Sequence, residues 1–228
     1  MRKTRLAMIC VLAGVMTLQG CMIGNLLGGM AQNAEYQKLI QVLPEYDGLE
    51  DKSVAVIVNT DLSTLYEYPQ VARQIAVGIS LNIQRAIPTA RVMNPNRVIA
   101  WQFNTTQWSA MPYGDLAARL QVDRIVYVDM YEYRLHPPGN RWLYEGVCAA
   151  TIGIIERDNV DPDSFVHAMN TITTFPNVKS LTLDEATPER VQLGLLAKFI
   201  QDASRLFYEH IKPKYPDKYR GPIPNQKS

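Results

Sequence analysis

The sequence predicts an α/β (α+β) fold: a single mixed sheet of about five strands, in the order β-α-β-α-β-β-β-α, with helices packed against it. Three observations carry this. Ser53-Val54-Ala55-Val56-Ile57-Val58-Asn59 is a near-continuous apolar run between polar residues, the pattern of a strand covered on both faces. Val71, Ile75, Ile79, Ile83 and Ile87 recur at every fourth position, with Arg73, Gln74, Gln84 and Arg85 off that stripe, the pattern of an amphipathic helix. Between 124 and 174, three strand-like segments follow one another with only turns between them, which joins strands antiparallel.

In chain order, residues 21–50 read as a tether. Within it Ala34 to Leu43 is expected as a short helix stopped by Pro44, and Tyr46-Asp47-Gly48 as a turn. The globular domain is placed at 51–211. The strand from Ser53 leads through a loop with Tyr66, Tyr68 and Pro69 into the helix from Val71, which Pro88 ends. Arg91-Val92-Met93 is a second strand, broken by Asn94-Pro95. Parallel pairing of these two strands implies a right-handed crossover. Residues 97–102 and 113–120 are short helices, the second with Leu116, Ala117 and Leu120 on one side. Arg124 to Arg134 is the strongest strand signal. Pro137-Pro138-Gly139-Asn140 is a turn, and Trp142 to Ile155 reads as the returning strand. Asp158 to Asp163 is a second turn and Phe165 to Thr174 a third strand. Thr187 is expected as an N-cap with Pro188 at the first helical position. The helix that follows is expected to bury Val191, Leu195, Phe199, Leu206 and Phe207 and to end near Lys212-Pro213. Residues 212–228 hold Lys212, Lys214, Lys218, Arg220 and Lys227 against Asp217, with four prolines. That composition predicts a basic, disordered tail.

The N-terminus has the layout of a secretory signal. Arg2, Lys3 and Arg5 precede an uncharged apolar stretch from Leu6 to Leu18. Thirteen helical residues rise about 20 Å, short of a ~30 Å hydrocarbon core, so a permanent transmembrane helix is not expected. Leu18-Gln19-Gly20-Cys21 looks like a bacterial lipobox, which places cleavage between Gly20 and Cys21 and a diacylglyceryl thioether on the Cys21 sulfur. Residues 1–20 are then the signal peptide. Two or more acyl chains give stable anchoring where one does not. Met22 and Ile23 are not an Asp-type inner-membrane retention signal, which favours the outer membrane. Cleavage removes Cys10 and lipidation consumes Cys21, leaving Cys148, in an apolar strand-like run, as a buried thiol.

Loss of residues 1–20 leaves 20 basic against 22 acidic residues, formally −2. This balance gives no electrostatic case for nucleic acid. There is no G-x-S-x-G, G-x-G-x-x-G, Walker-type or H-E-x-x-H motif. His136, His167 and His210 are far apart in sequence, and the acidic turn lacks the Gly and terminal Glu of a calcium loop. No cofactor, metal or enzymatic activity is therefore expected. Asp129, mid-strand, is expected to be exposed or paired with Arg124 or Arg141. The tyrosines give the best lead. Period two puts Tyr127, Tyr131 and Tyr133 on one face with Asp129, and Trp142 with Tyr144 on the returning strand. The closing helix is expected to cover the middle of this patch. Tyr133, Trp142 and Tyr144, near the turn, are the candidate partner-binding residues.

The element order, with Leu120-Gln121-Val122-Asp123-Arg124-Ile125-Val126-Tyr127-Val128 entering a long strand, resembles a group of small α/β envelope lipoprotein domains. That group includes the curli-secretion lipoprotein, the lipoprotein activators of penicillin-binding proteins and the TolB N-terminal domain. The resemblance spans roughly residues 53–211 and implies a non-enzymatic, partner-binding module of the cell envelope. It carries over no functional residue. Glu132, Arg134, Arg141 and Glu145 near the hairpin turn argue against a membrane-spanning barrel strand. The expectation is a lipid-anchored, periplasm-facing accessory protein that binds a protein partner in secretion, transport or cell-wall assembly, with self-association left open. The competing readings are an envelope hydrolase near Asp129 or the acidic turn, and a small-ligand or glycan module on the aromatic face.

Overall fold

The computed structural model describes residues 33–177 and 179–220; Gly20 and Cys21, the cleavage and lipidation positions, lie outside them. Among the described residues no helix is long and apolar enough to cross a membrane. In chain order the elements are β1 (Leu39–Val42), β2 (Ser53–Thr60), α1 (Leu62–Glu67), α2 (Val71–Ala86), β3 (Arg91–Val92), α3 (Pro95–Asn104), α4 (Tyr113–Leu120) and β4 (Arg124–Arg134). Then come β5 (Leu143–Tyr144), β6 (Gly146–Glu156), β7 (His167–Phe175), β8 (Leu181–Thr182), α5 (Pro188–Ser204) and β9 (His210–Pro213). They form two compact units, a body from Leu43 to Glu209 and a smaller unit of the flanking segments.

The body is a five-stranded mixed sheet, as the sequence predicts, and its strand order is β3-β2-β4-β6-β7. β2 runs parallel to both β3 and β4, and β4, β6 and β7 form an antiparallel meander. One face buries Val54, Val56 and Val58 of β2, Val126, Val128 and Met130 of β4, and Cys148, Ala150, Ile152 and Ile154 of β6. Against these lie the isoleucine stripe of α2 and Val191, Leu195 and Phe199 of α5. Each Val, Ile, Leu, Met or Phe side chain among these contributes about 1.5–3 kcal/mol on burial. α5 starts where expected, with the Thr187 side chain accepting from the Arg190 amide and Pro188 in the first turn. The two helices approach closely at Gly78, where a Cβ would stand 2.6 Å from the Ile200 Cδ1.

The other face buries Ala55, Ile57, Ile125, Tyr127 and Ile155 under Val98 of α3 and Leu116, Ala117 and Leu120 of α4. An aromatic group closes its rim. Tyr113 stacks on Phe165 with ring centroids 4.5 Å apart, and both flank Tyr127. The sheet end nearest these rings carries an ionic knot around the buried Arg124. Arg124 bonds Asp158 at 2.5 Å and lies 3.4 Å from Glu156, close enough to ion-pair but without hydrogen-bond geometry from its Nε. Tyr46 donates to the same Glu156 at 2.6 Å; burial, then that carboxylate, pushes its phenol well above the usual range.

Four expectations are corrected. First, the helix expected over 34–43 is one helical turn at 33–36 followed by β1. Its residues pair antiparallel with β9, Leu39 with Pro213 through Val42 with His210. A partner about 170 residues away thus overrides the local helical reading. Second, α5 ends at Ser204 and a 3-10 turn at Phe207, not near 212, and the basic tail expected from 212 begins inside β9. Beyond it, Lys214 bonds Glu35 at 2.5 Å and Tyr215 meets Tyr36 edge-on at 5.6 Å. Third, the returning strand is broken at Glu145, whose amide donates to the Leu135 carbonyl; β5 leaves the sheet and pairs with β8.

The fourth correction concerns the tyrosines. In β4, Met130 opposes Ala150 and Glu132 opposes Ala149, so Tyr131 is an extra residue in a β-bulge. One extra residue reverses the alternation. Tyr133 and Leu135 therefore join the α2/α5 core with Met130, instead of sharing a face with Tyr127 and Asp129.

Candidate functional site

The second face is covered only over part of the strands. α3 and α4 have ten and eight residues, about 15 and 12 Å of helix, against about 37 Å for the eleven-residue β4. Cover ends at Tyr127. The next row crosses four strands in register: Asn59, Asp129, Thr151 and Asn170. Asn59 Nδ2 donates to Asp129 Oδ1 at 2.9 Å, and Thr151 Oγ1 to Asn170 Oδ1 at 2.9 Å. Asp129 is thus exposed and held by an asparagine, not by Arg124 or Arg141. Beyond this row Tyr131 stands 53% and Ile172 67% exposed. β7 is the sheet's outer strand, nine residues long, and among the described residues no strand is hydrogen-bonded to its far edge. Lys198 Nζ donates to the Thr174 carbonyl and closes one end of that edge. An open, registered edge is a template for an added strand.

Tyr133, Trp142 and Tyr144 fall around the β4–β5 connection. Its turn has Gly139 at φ +76°, with the Asn140 amide donating to the Pro137 carbonyl. The structure buries two of the three residues expected to be exposed. Tyr133 is 8% exposed, packed edge-on against Tyr68 with centroids 4.9 Å apart. Tyr144 is 3% exposed against the His136 ring. Trp142 projects, 76% exposed. Tyr133 and Trp142 line a half-open cleft of about 930 Å³, together with Tyr68, Glu67, His136 and Gln192 among others. His136 Nδ1 is 2.8 Å from the Leu143 carbonyl, which only accepts, so Nδ1 carries a proton, and the tautomer this selects has Nε2 as its acceptor. Arg134 is held by Glu132 and by the carbonyls of His136 and Glu145. Burial, then Glu67, raises the Tyr68 phenol to about 12. Glu67, Tyr68 and Gln192 had no signal in the sequence, because the ends of α1 and α5 that bring them here are far apart along the chain.

The other sequence candidates are tied into structure. The acidic turn is spent on neighbours: Asp158 on Arg124, and Asp163 Oδ1 accepting the Gly114 amide at 3.0 Å. Cys148 is fully buried, 3.7 Å from the Met130 sulfur, and burial pushes its thiol up. Among the described residues no three His, Cys, Asp or Glu side chains come together as a metal site.

The fold defines a mixed α/β domain with one closed and one half-open sheet face. No family model matches the chain, and no curated protein does. Among solved structures it is similar to the PelC dodecamer from Paraburkholderia phytofirmans, at 14% identity and TM-score 0.40, over 73% of this chain and 96% of that one. It is also similar to the lipoprotein GNA1162 from Neisseria meningitidis, at 11% identity and TM-score 0.41, over 65% and 96%. A hypothetical protein of Chlamydia trachomatis matches at 10% identity and TM-score 0.33, over 66% and 96%. Likeness at this level assigns no family, activity or partner, and it does not reach the curli-secretion, penicillin-binding-protein-activator and TolB group that the sequence pattern resembles.

Proposed function

We propose that the chain is a lipid-anchored accessory protein of the bacterial cell envelope, without enzymatic activity, that holds a protein partner on the open half of its sheet. One observation carries the binding surface: the row Asn59-Asp129-Thr151-Asn170 and the exposed Tyr131 and Ile172 adjoin the unpaired edge of β7. The anchor rests on Leu18-Gln19-Gly20-Cys21. A periplasm-facing place on the outer membrane, and a part in secretion, transport or cell-wall assembly, belong to the same proposal.

The test is site-specific photo-crosslinking in native membranes. A crosslinker at position 172 should yield one discrete adduct recovered in near-stoichiometric amount, and one at Arg85, on the opposite side of the body's sheet, should not. No adduct at 131, 170 or 172 overturns the reading; an adduct of twice the chain's mass identifies the partner as a second copy. For the anchor, labelled palmitate should enter the protein and fail to enter Cys21→Ala. Label persisting in that variant overturns the anchor.

A further inference from the structure

The cleft at the β4–β5 turn lies on a different part of the body from the open sheet half. Its lining is unlike a core remnant. Aromatic surface comes from Trp142, which projects, and from Tyr68, which is half-buried. Around these rings stand planar polar groups of both kinds: Glu67 and His136 Nε2 as acceptors, Arg141 and the Gln192 amide as donors. Tyr133 lines the same cleft and is more than nine-tenths buried, its hydroxyl oxygen sealed from solvent.

The lining excludes two ligand classes. A phosphate or nucleotide needs an excess of free cations. Here Arg134 is consumed by Glu132 and two carbonyls, and Arg141 is balanced by Glu67. A purely apolar ligand needs aliphatic walls, and Leu135 is the one branched aliphatic side chain on the lining. What remains is a ligand with flat C–H faces for aromatic rings and an edge of hydroxyls that both donate and accept. At about 930 Å³ the cleft has room for several linked rings of that kind.

We infer that this cleft is a carbohydrate-binding site, taking a short stretch of a glycan chain. Trp142 and Tyr68 stack on sugar faces, and Glu67, His136, Arg141 and Gln192 bond ring hydroxyls. This inference does not depend on the partner-binding role of the open sheet half, and either can fail alone.

The test is calorimetric titration of the full chain in detergent with three tetrasaccharides, a neutral glucan, an N-acetylglucosamine oligomer and a uronate oligomer, beside a proline-rich peptide of similar length. At least one tetrasaccharide should bind. Trp142→Ala should weaken it at least tenfold with no change in Tm, since the indole is exposed, and Trp142→Phe should restore most of the affinity. No binding by any tetrasaccharide at 10 mM (on the order of the weakest specific sugar sites), tighter binding of the peptide, or indifference to Trp142→Ala overturns the site.

Discussion

The two faces of the sheet share the same strands and differ in what covers them. One lies under α2 and α5, sixteen and seventeen residues long, and is closed across β2, β4 and β6. The other lies under α3 and α4, half that length, and is closed only as far as Tyr127. Helix length is therefore what decides where core stops and surface begins. Strand composition follows it: Val56, Val128 and Ile152 under the long helices, Asn59, Asp129 and Thr151 where the short ones have run out.

The largest effect belongs to the closed face. Phe199→Ala, at a site with no exposure, should lower unfolding free energy by about 3–5 kcal/mol in denaturant titration. Leu116→Ala, in the smaller core under α4, should lower it by about 2–3 kcal/mol. If Leu116→Ala proves the more damaging, the ranking of the two faces is wrong. Deleting Tyr131 sharpens the comparison differently. Removal of the bulged residue leaves Met130 and Glu132 adjacent in regular alternation, so Tyr133 and Leu135 keep facing α2 and α5. The variant should fold, at a loss of about 1 kcal/mol, and a collapse of its near-UV circular dichroism would count against the bulge. Thr151→Ala, on the open row, should change stability by less than about 0.5 kcal/mol while reducing the crosslinked adduct from position 172.

Acid adds a smaller test at the ionic knot. The hydrogen bond from Arg124 holds the Asp158 carboxyl below the usual carboxylate range. A depressed folded-state pKa gives stability that is present above the unfolded value, near 3.9, and lost as pH falls through the folded one. Asp158→Asn should therefore flatten the fall in Tm below about pH 4 and leave the neutral-pH side unaltered in slope. Asp158 is mostly exposed, so the effect is small. An acid limb identical in the two proteins would show that this pair does not couple to folding.

The parts of this fold readable from sequence are those whose signal is local. The α2 stripe repeats within one helix, and Thr187 caps α5 through a hydrogen bond within its own first turn, with Pro188 beside it. The bulge is not local. Nothing in Met130-Tyr131-Glu132 announces it, because it exists only in register with Ala149 and Ala150 of β6. Without it, period-two alternation puts Tyr133 on the wrong face. β5 and β8 are two residues each, too short for periodicity, so the sequence pattern runs Tyr144 into a long strand whereas it pairs with Leu181. The cleft was half legible: Tyr133 and Trp142 lie near a turn that Pro137-Pro138-Gly139-Asn140 announces, whereas Glu67 and Gln192 arrive from helix ends set by tertiary packing.

The pairing of β1 with β9 has a topological consequence. Leu39 lies opposite Pro213, so the polypeptide enters and leaves this ladder side by side. A chain whose two ends meet is nearly a closed ring. A short linker from Lys38 to Lys214, with a new opening cut at the exposed Gly139-Asn140 turn, should give a circular permutant with the same strand order. For a tethered protein the same geometry means that a leash joined just before Leu39 and one joined just after Pro213 pull on the same end of the ladder.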